Sequence, residues 1–193
     1  MKKKLKISYN APVVLTFVLI CLVVLVIDGL TMGKSTNLLF MTYHPSLANP
    51  LTYIRFFTHV LGHSGWSHFI NNAAYLLLLG PMLEEKHGSQ TLLEIIAITA
   101  LVTGLVNYIF FPSVGLCGAS GVVFAFIILA SFTGFKDGEI PLTFILVAII
   151  YIGQQVFEGI TVTDNISNMA HIVGGAVGAV LGYLLNKKTK YSR

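Results

Sequence analysis

The sequence predicts an all-α polytopic membrane protein, a bundle of six membrane-spanning helices that forms a single domain over residues 1–193. Hydrophobic residues make up 55% of the chain and charged residues only 10%, and the mean hydropathy is +0.80. Soluble domains carry about 25% charged residues, so a soluble globular enzyme is excluded. The high apolar content, spread along the whole chain, also excludes a disordered protein.

Six apolar segments account for most of the chain, and we interpret them as the membrane-spanning helices. They cover residues 11–30, 68–83, 91–111, 120–133, 140–157 and 168–185. The first could instead be a cleaved signal peptide, but its apolar run exceeds the ~7–15 residues of a signal core, which favours a retained helix. The second, fourth and sixth segments are predicted to be short helices whose polar ends meet a water-filled depression.

The distribution of Lys and Arg supports six crossings with both termini in the cytoplasm. Four basic residues lie in the N-terminal segment 1–10 and four in the tail 186–193. With Lys86 and Lys136 they place ten of the twelve cations on one side of the membrane. Positive charge beside apolar segments orients a membrane protein, so the basic clusters are not interpreted as a nucleic-acid site.

A long connection, residues 31–67, separates the first two spans on the outer side. Its aromatic residues are of the kind that prefer the membrane–water boundary. They include Tyr43, Tyr53, Phe56, Phe57 and Trp66. We therefore expect an ordered first loop that is partly embedded in the outer interface.

Polar residues gather near the outer ends of the second, fourth and sixth helices. His68, Asn71 and Asn72 begin the second, Ser120 begins the fourth, and His171 lies early in the sixth. All three helices run inward, so these residues share one depth. Ionisable groups within a membrane are functional candidates by default.

These residue types together indicate acyl transfer. A neighbouring imidazole such as His171 can take the proton of the Ser120 hydroxyl and return it to a leaving amine. The free backbone N–H of Ser120 at a helix N-terminus, with the side chains of His68 and Asn72, can bind the oxyanion. The acids nearest to His171, Asp164 and Glu158, fall in an outer loop, so we predict a Ser–His dyad without a third carboxylate.

Small residues predict close packing between the fourth and sixth helices. Gly174, Gly178 and Gly182 repeat every four residues along one face of the sixth helix, and Gly118 and Gly121 flank the serine. Small residues let membrane helices approach closely, which would bring His171 to Ser120.

Two other features receive structural interpretations. His59 and His63 are four residues apart and could imitate a metal-binding pair, but no third ligand follows at a suitable spacing. No metal or cofactor is therefore predicted. Glu84 is interpreted as a brace at the inner end of the second helix.

Four ordered motifs resemble those of the rhomboid family of intramembrane serine proteases, in its basic six-helix bacterial form. The family's first-loop end and H-x-x-x-N pattern are similar to the segment from Arg55 to His59 followed by His63, His68 and Asn72. Glu84 with Gly88-Ser89 is similar to its E-x-x-x-G-S turn. The other two motifs are Gly118-Ala119-Ser120-Gly121 and Ala170-His171-Ile172-Val173-Gly174 with Gly178.

The resemblance implies that Ser120 is the nucleophile and His171 the general base. It implies an oxyanion hole of Asn72, His68 and the Ser120 N–H, with Gly118 in its motif. The resemblance also implies structural roles for five further residues: Arg55, Glu84, Gly121, Gly174 and Gly178.

The same resemblance implies a fold and a cellular setting. The fold would be a rhomboid-like bundle in the bacterial plasma membrane, with its active site near the outer face. Its partners would be transmembrane protein substrates and the lipid bilayer, without nucleic acid or cofactor. The sequence indicates no oligomeric state.

The sequence departs from the family pattern in two places, and two alternative functions are considered beside the protease. Phe124 stands where some relatives have a tyrosine packed on the base, and a gate on the fifth helix has only the candidates Gln154, Gln155 and Phe157. A catalytically inactive relative that binds membrane clients is the first alternative, although such relatives lose the serine or the histidine. A small transporter is the second, but the inverted repeats expected of one are not visible.

Overall fold

The protein is all-helical apart from one isolated β-bridge, throughout the residues that its computed structural model describes. Those residues are 7–132, 140, 142–143, 145–150, 153 and 165–191. The helices are α1 (Pro12–Leu30), α2 (Lys34–Leu39), α3 (Pro50–Thr58), α4 (Trp66–His87), α5 (Ser89–Phe110), α6 (Ser120–Ser131) and α7 (Asn165–Tyr191). Residues 145–150 are also helical, and most of the fifth predicted span, 140–157, lies outside the described residues.

Three of the described helices are long and apolar enough to cross a bilayer: Pro12–Leu30, Ser89–Phe110 and, within α7, Met169–Asn186. Large apolar side chains are exposed on their outer faces, among them Val23, Leu93 and Val180. Such continuous apolar surface suits lipid rather than water. The chain is a multi-pass helical membrane protein, as its composition predicts.

The prediction that the second and sixth helices are short is wrong. Helix α4 has 22 residues and α7 has 27, whereas α6, with 12, is the short one. The apolar segment of α4 ends before Glu84, but the helix continues through a charged turn to His87 and stops at Gly88, whose φ is +85°. Hydropathy detects only the part of a helix that suits hydrocarbon, so polar helical turns beyond it were missed.

The first loop, residues 31–67, is ordered by polar contacts between its short helices. The Asp28 carboxylate accepts a hydrogen bond from the Thr36 backbone N–H at 2.9 Å and so caps α2. Arg55 on α3 is only 3% exposed. Its Nε donates to the Leu38 carbonyl at the end of α2 (2.8 Å), and its guanidinium lies 4.6 Å above the Tyr43 ring. Arg55 therefore fastens α3 to α2 and to the chain that follows it.

Glu84 joins three helices near the C-terminal end of α4. Its Oε1 accepts from the Val13 N–H (2.9 Å) and the Ser89 hydroxyl (2.6 Å), and its Oε2 accepts from the Val14 N–H (3.0 Å). The carboxylate thus caps the positive N-terminal end of α1 while it stands on α4 beside the start of α5. Gly80 lets α1 approach, since a Cβ there would lie 2.6 Å from a Val14 methyl group.

The chain that enters α6 is held by the first loop. Thr42 and Leu116 form the β-bridge, with N–H···O distances of 2.9 and 2.8 Å. The Gly118 N–H donates to the His59 carbonyl at 2.9 Å, and Asn107 on α5 donates to the Val114 carbonyl at 3.0 Å. Residues 114–118 are therefore fixed on both sides immediately before Ser120.

Candidate active site

Ser120 is the first residue of α6, which begins directly after the Gly118-Ala119 turn. The carbonyl of Ala119 accepts the first helical hydrogen bond, from the Val123 N–H at 2.9 Å. In this first turn the backbone N–H of Ser120 has no carbonyl four residues back within the helix. The helix therefore presents a hydroxyl and an N–H donor from the same residue at its positive end.

Gly118 is required for two separate reasons. Its φ is +129°, a conformation that L side chains rarely adopt. In addition, a Cβ at this position would lie 2.5 Å from Cε1 and 2.7 Å from Nε2 of His68. Because residue 118 lacks a side chain, the His68 ring from α4 can stand against the backbone that precedes the serine.

The His68 ring is oriented by its neighbours. Its Nδ1 lies 3.1 Å from the Ser64 hydroxyl, and the His63 ring meets it at 5.0 Å between centroids with an interplanar angle of 64°. A Ser64 hydroxyl that donates to Nδ1 leaves the proton of a neutral ring on Nε2, the atom beside Gly118. His68 is thus arranged as a donor at the edge of the serine turn.

Asn72 lies one helical turn after His68 and is only 6% exposed. Its amide nitrogen Nδ2 has no hydrogen-bond partner among the described residues. A buried donor that is left unused costs about 1–3 kcal/mol, and native structures contain few of them. Such a group is expected where a ligand oxygen completes the bonding.

His171 stands on α7 against the Phe124 ring of α6. The two ring centroids are 4.4 Å apart and the planes are inclined at 42°. This contact fixes one face of the imidazole without supplying a hydroxyl. Phe124 therefore occupies the place that the sequence resemblance gives to a tyrosine in some relatives.

Helices α6 and α7 pack backbone against backbone. A Cβ on Gly174 would collide with the backbone of Gly121, and a Cβ on Gly178 would collide with that of Ala125. Ala170 is also buried at this contact. The glycine repeat thus allows the approach that the sequence predicts, and it sets α7 at a distance where His171 reaches the same cavity as Ser120.

One cavity of about 420 Å³ collects the catalytic candidates. The cavity is lined by Ser120, His171, His68 and Asn72, together with the polar Asn71. Its remaining lining is mostly apolar: Tyr75, Val123, Phe124, Ile127, Val147 and Ile150. The cavity thus has a polar part at the serine and an apolar part that extends between α4, α6 and the helical segment 145–150.

The other sequence-predicted positions lie apart from this cavity. Arg55 and Glu84 are buried among structural contacts, at the first loop and near the C-terminal end of α4. The gate candidates Gln154, Gln155 and Phe157 fall outside the described residues. Val147 and Ile150, from the described part of the same segment, line the cavity instead.

His59 is held by structural contacts, whereas Nε2 of the buried His63 has no hydrogen-bond partner among the described residues. His59 is bonded at both ring nitrogens, to the Arg55 carbonyl (3.1 Å) and the Thr103 hydroxyl (3.2 Å). Burial lowers the pKa of His59 to about 4. Burial, and next the charge of the neighbouring His68, lower the pKa of His63 to about 4. Both rings are therefore neutral at pH 7.

Sequence reasoning gave no role to Asn71, and it did not single out Tyr75. The signal for both was present, because positions 68, 71, 72 and 75 follow the i, i+3, i+4, i+7 spacing of one helix face. Since His68 and Asn72 were already candidates, this spacing could have extended the site along α4.

Two comparisons with known proteins cover most of the chain. Residues 50–188 match the family model of the Rhomboid domain. The chain is 25% identical over 183 residues to the Rhomboid protease GlpG of Haemophilus influenzae, a match that covers 92% of this chain and 94% of that protein. The similarity therefore extends to the part of the chain that precedes residue 50, where the family model begins.

Proposed function

The chain belongs to the rhomboid family, and from that premise we propose that it is an intramembrane serine endopeptidase. Its substrates would be other membrane proteins, cleaved in or near their transmembrane segments by a Ser120–His171 dyad. The observation that carries the proposal is the shared cavity. A hydroxyl, an imidazole, an unpartnered buried amide and a second ring donor line one space of about 420 Å³.

In the first half-reaction, the Ser120 oxygen attacks the carbonyl carbon of the scissile peptide. His171 takes the hydroxyl proton and then gives it to the leaving amine, which leaves an acyl-enzyme. In the second half-reaction, a water molecule attacks the ester and passes its proton through His171 back to Ser120. The polar part of the cavity is the supply of that water.

The oxyanion of each tetrahedral intermediate would be held by three donors. These are the Ser120 N–H, Nδ2 of Asn72 and Nε2 of His68. Pre-aligned donors of this kind are worth more in a water-poor site than in water, because they need no reorganisation as charge develops. The unused Asn72 donor supports this role most directly.

A substrate helix must unwind before its peptide bond can reach Ser120. In hydrocarbon, each unsatisfied backbone group costs several kcal/mol, whereas a wet cavity offers partners for the freed groups. Substrates with Gly or Pro near the cleaved bond should therefore be cut faster than the same substrates with Leu at those positions.

The proposed setting is a bacterial plasma membrane crossed six times, with both termini in the cytoplasm and the cavity near the outer face. The segregation of ten of the twelve Lys and Arg residues, by the sequence count, supports this orientation. The alternative is an inactive rhomboid-like protein that binds membrane clients. The presence of both Ser120 and His171 argues against this alternative.

The test compares wild-type protein with Ser120→Ala and His171→Ala in detergent or liposomes. A fluorophosphonate probe should label the wild type and leave Ser120→Ala unlabelled. Cleavage of a membrane-spanning substrate should fall by about 10⁴-fold or more in both variants, while their unfolding temperatures stay near that of the wild type. Cleavage by Ser120→Ala at the wild-type rate would refute the proposal.

A further inference from the structure

Asn71 is an exposed polar residue on α4, among neighbours that are mostly apolar. Within α4, the exposed residues between Ile70 and Leu78 are otherwise Ala74, Tyr75 and Leu77, none of which carries an amide. Exposed apolar side chains at these positions suit contact with lipid tails. An amide there loses its water partners unless another polar group meets it.

The position of Asn71 gives it access to the cavity from the side. Asn71 lines the cavity together with Val147 and Ile150, which belong to the helical segment 145–150. Val147 and Ile150 carry only apolar side chains. Among the described residues, Asn71 has no hydrogen-bond partner. Its carboxamide therefore stands unused between α4 and the segment 145–150.

Asn71 and Asn72 differ in what they can reach. Asn72 is buried beside the serine, whereas Asn71 is exposed at the lateral edge of the same cavity. A chain bound across Ser120 would therefore pass Asn71 as it leaves the polar part of the cavity. Peptide groups at that point have left their own helix and need both a donor and an acceptor. A carboxamide offers both.

We infer that Asn71 is a positioning residue that binds the backbone of the unwound substrate segment where it passes between α4 and the segment 145–150. The inference rests on the proposed protease function and adds a determinant of substrate binding to it. Asn71 touches the substrate away from the cleaved bond, so its hydrogen bond is present equally in the bound substrate and in the transition state. Uniform binding of this kind changes KM and leaves kcat unchanged.

The test uses three substrates and three variants. The substrates are one membrane-spanning peptide and two shortened forms that keep the cleaved bond and a few residues on each side of it, one truncated on the N-terminal side and the other on the C-terminal side. Asn71→Leu should raise KM about fivefold for the full peptide, as expected for loss of one hydrogen bond, with kcat within twofold. The same rise should appear with one shortened peptide and vanish with the other, which no longer reaches Asn71.

Two variants serve as controls. Asn71→Gln keeps the carboxamide and should recover at least half of the affinity, whereas Ile70→Leu changes a neighbouring lipid-facing residue and should leave all three KM values unchanged. An equal rise of KM for all three substrates, a fall of kcat without a change of KM, or a Gln variant no better than Leu would overturn the inference.

Probe labelling of Ser120 separates this inference from the proposed function. If Asn71→Leu labels at the wild-type rate and yet shows no change of KM, the inference fails and the protease assignment stands. If the wild-type protein neither labels nor cleaves, the protease assignment itself fails and the role of Asn71 falls with it.

Discussion

Helix α4 buries a polar side chain near each end, and the two side chains differ in whether their hydrogen-bonding groups are used. Near the C-terminal end, both oxygens of Glu84 are used, in three hydrogen bonds of 2.6 to 3.0 Å. Nearer the N-terminal end, Asn72 is equally buried, and its amide nitrogen has no hydrogen-bond partner within the described residues. A buried polar group that is fully bonded stabilises a fold, whereas one with an unused donor lowers stability and is available to a ligand.

The strongest test of this contrast is Asn72→Ala. Loss of one oxyanion donor should lower kcat by about 10²–10³-fold. Because the variant also removes an unused buried donor, its free energy of unfolding should stay within about 1 kcal/mol of the wild type. Steady-state cleavage and thermal unfolding measured on the same preparation check both parts. A large loss of stability would show that Asn72 is structural after all.

The complementary test is Glu84→Gln. The amide keeps the shape of the side chain but replaces one acceptor oxygen with a donor, which then faces the N–H groups of α1 or the Ser89 hydroxyl. Unfolding should become easier by roughly 2–3 kcal/mol, the usual worth of hydrogen bonds to a charged group. Activity for each folded molecule should remain at the wild-type level. A selective loss of kcat with unchanged stability would reverse the roles assigned to the two ends.

The first loop holds two buried histidines, His59 and His63, and through them acid should lower the stability of the fold. The pKa values of His59 and His63 are about 4 in the folded protein, against 6.5 ordinarily. Since the unfolded chain then binds more protons between these values, stability is full above pH 6.5 and falls as the pH drops toward 4. From pH 7.5 to 5.5 the loss should be roughly 1.3 kcal/mol for each histidine.

Unfolding measured at these two pH values in wild type and His59→Gln checks this pH dependence. Glutamine offers similar hydrogen bonds but does not titrate, so the loss of stability between the two pH values should be smaller in the variant by roughly 1.3 kcal/mol, the contribution of His59. An unchanged pH dependence in His59→Gln would show that His59 does not contribute to it.

The smallest expected effect concerns the ring that packs on His171. Phe124→Leu keeps apolar volume but removes the aromatic contact, so cleavage should fall about threefold, in line with the ~0.5–1.5 kcal/mol of such pairs. Phe124→Tyr keeps the ring and serves as the matched control, with a rate within twofold of the wild type. Equal rates in the Leu and Tyr variants would show that the ring contact does not position His171.

Much of the candidate site could be predicted from the sequence because polar residues stand out in an apolar chain. The four candidates fall at the starts of three predicted spans that run in the same direction, which predicts one depth for Ser120, His171, His68 and Asn72. The glycine repeat likewise predicted which helices meet, since small residues have a direct steric meaning in membrane helices.

The remaining features left no comparable signal. An apolar side chain such as that of Ile127 or Val147 suits lipid, another helix or a cavity equally well. The residue type therefore does not predict which apolar residues line the cavity. The partners of Glu84 are backbone N–H groups of Val13 and Val14, which the amino-acid types at those positions do not reveal. Helix ends were misjudged because hydropathy follows the hydrocarbon layer rather than the hydrogen bonds of the helix.

The β-bridge between Thr42 and Leu116 determines at which positions near the serine an inserted residue would be tolerated. The bridge and the Gly118–His59 hydrogen bond fix the register of the chain just before the serine. One extra residue between Leu116 and Ser120 would rotate the start of α6 by about 100° and turn the hydroxyl away from His171. The same insertion near Pro112, ahead of the bridge, would be absorbed as a wider exposed turn, which makes that turn the place for a label or an epitope.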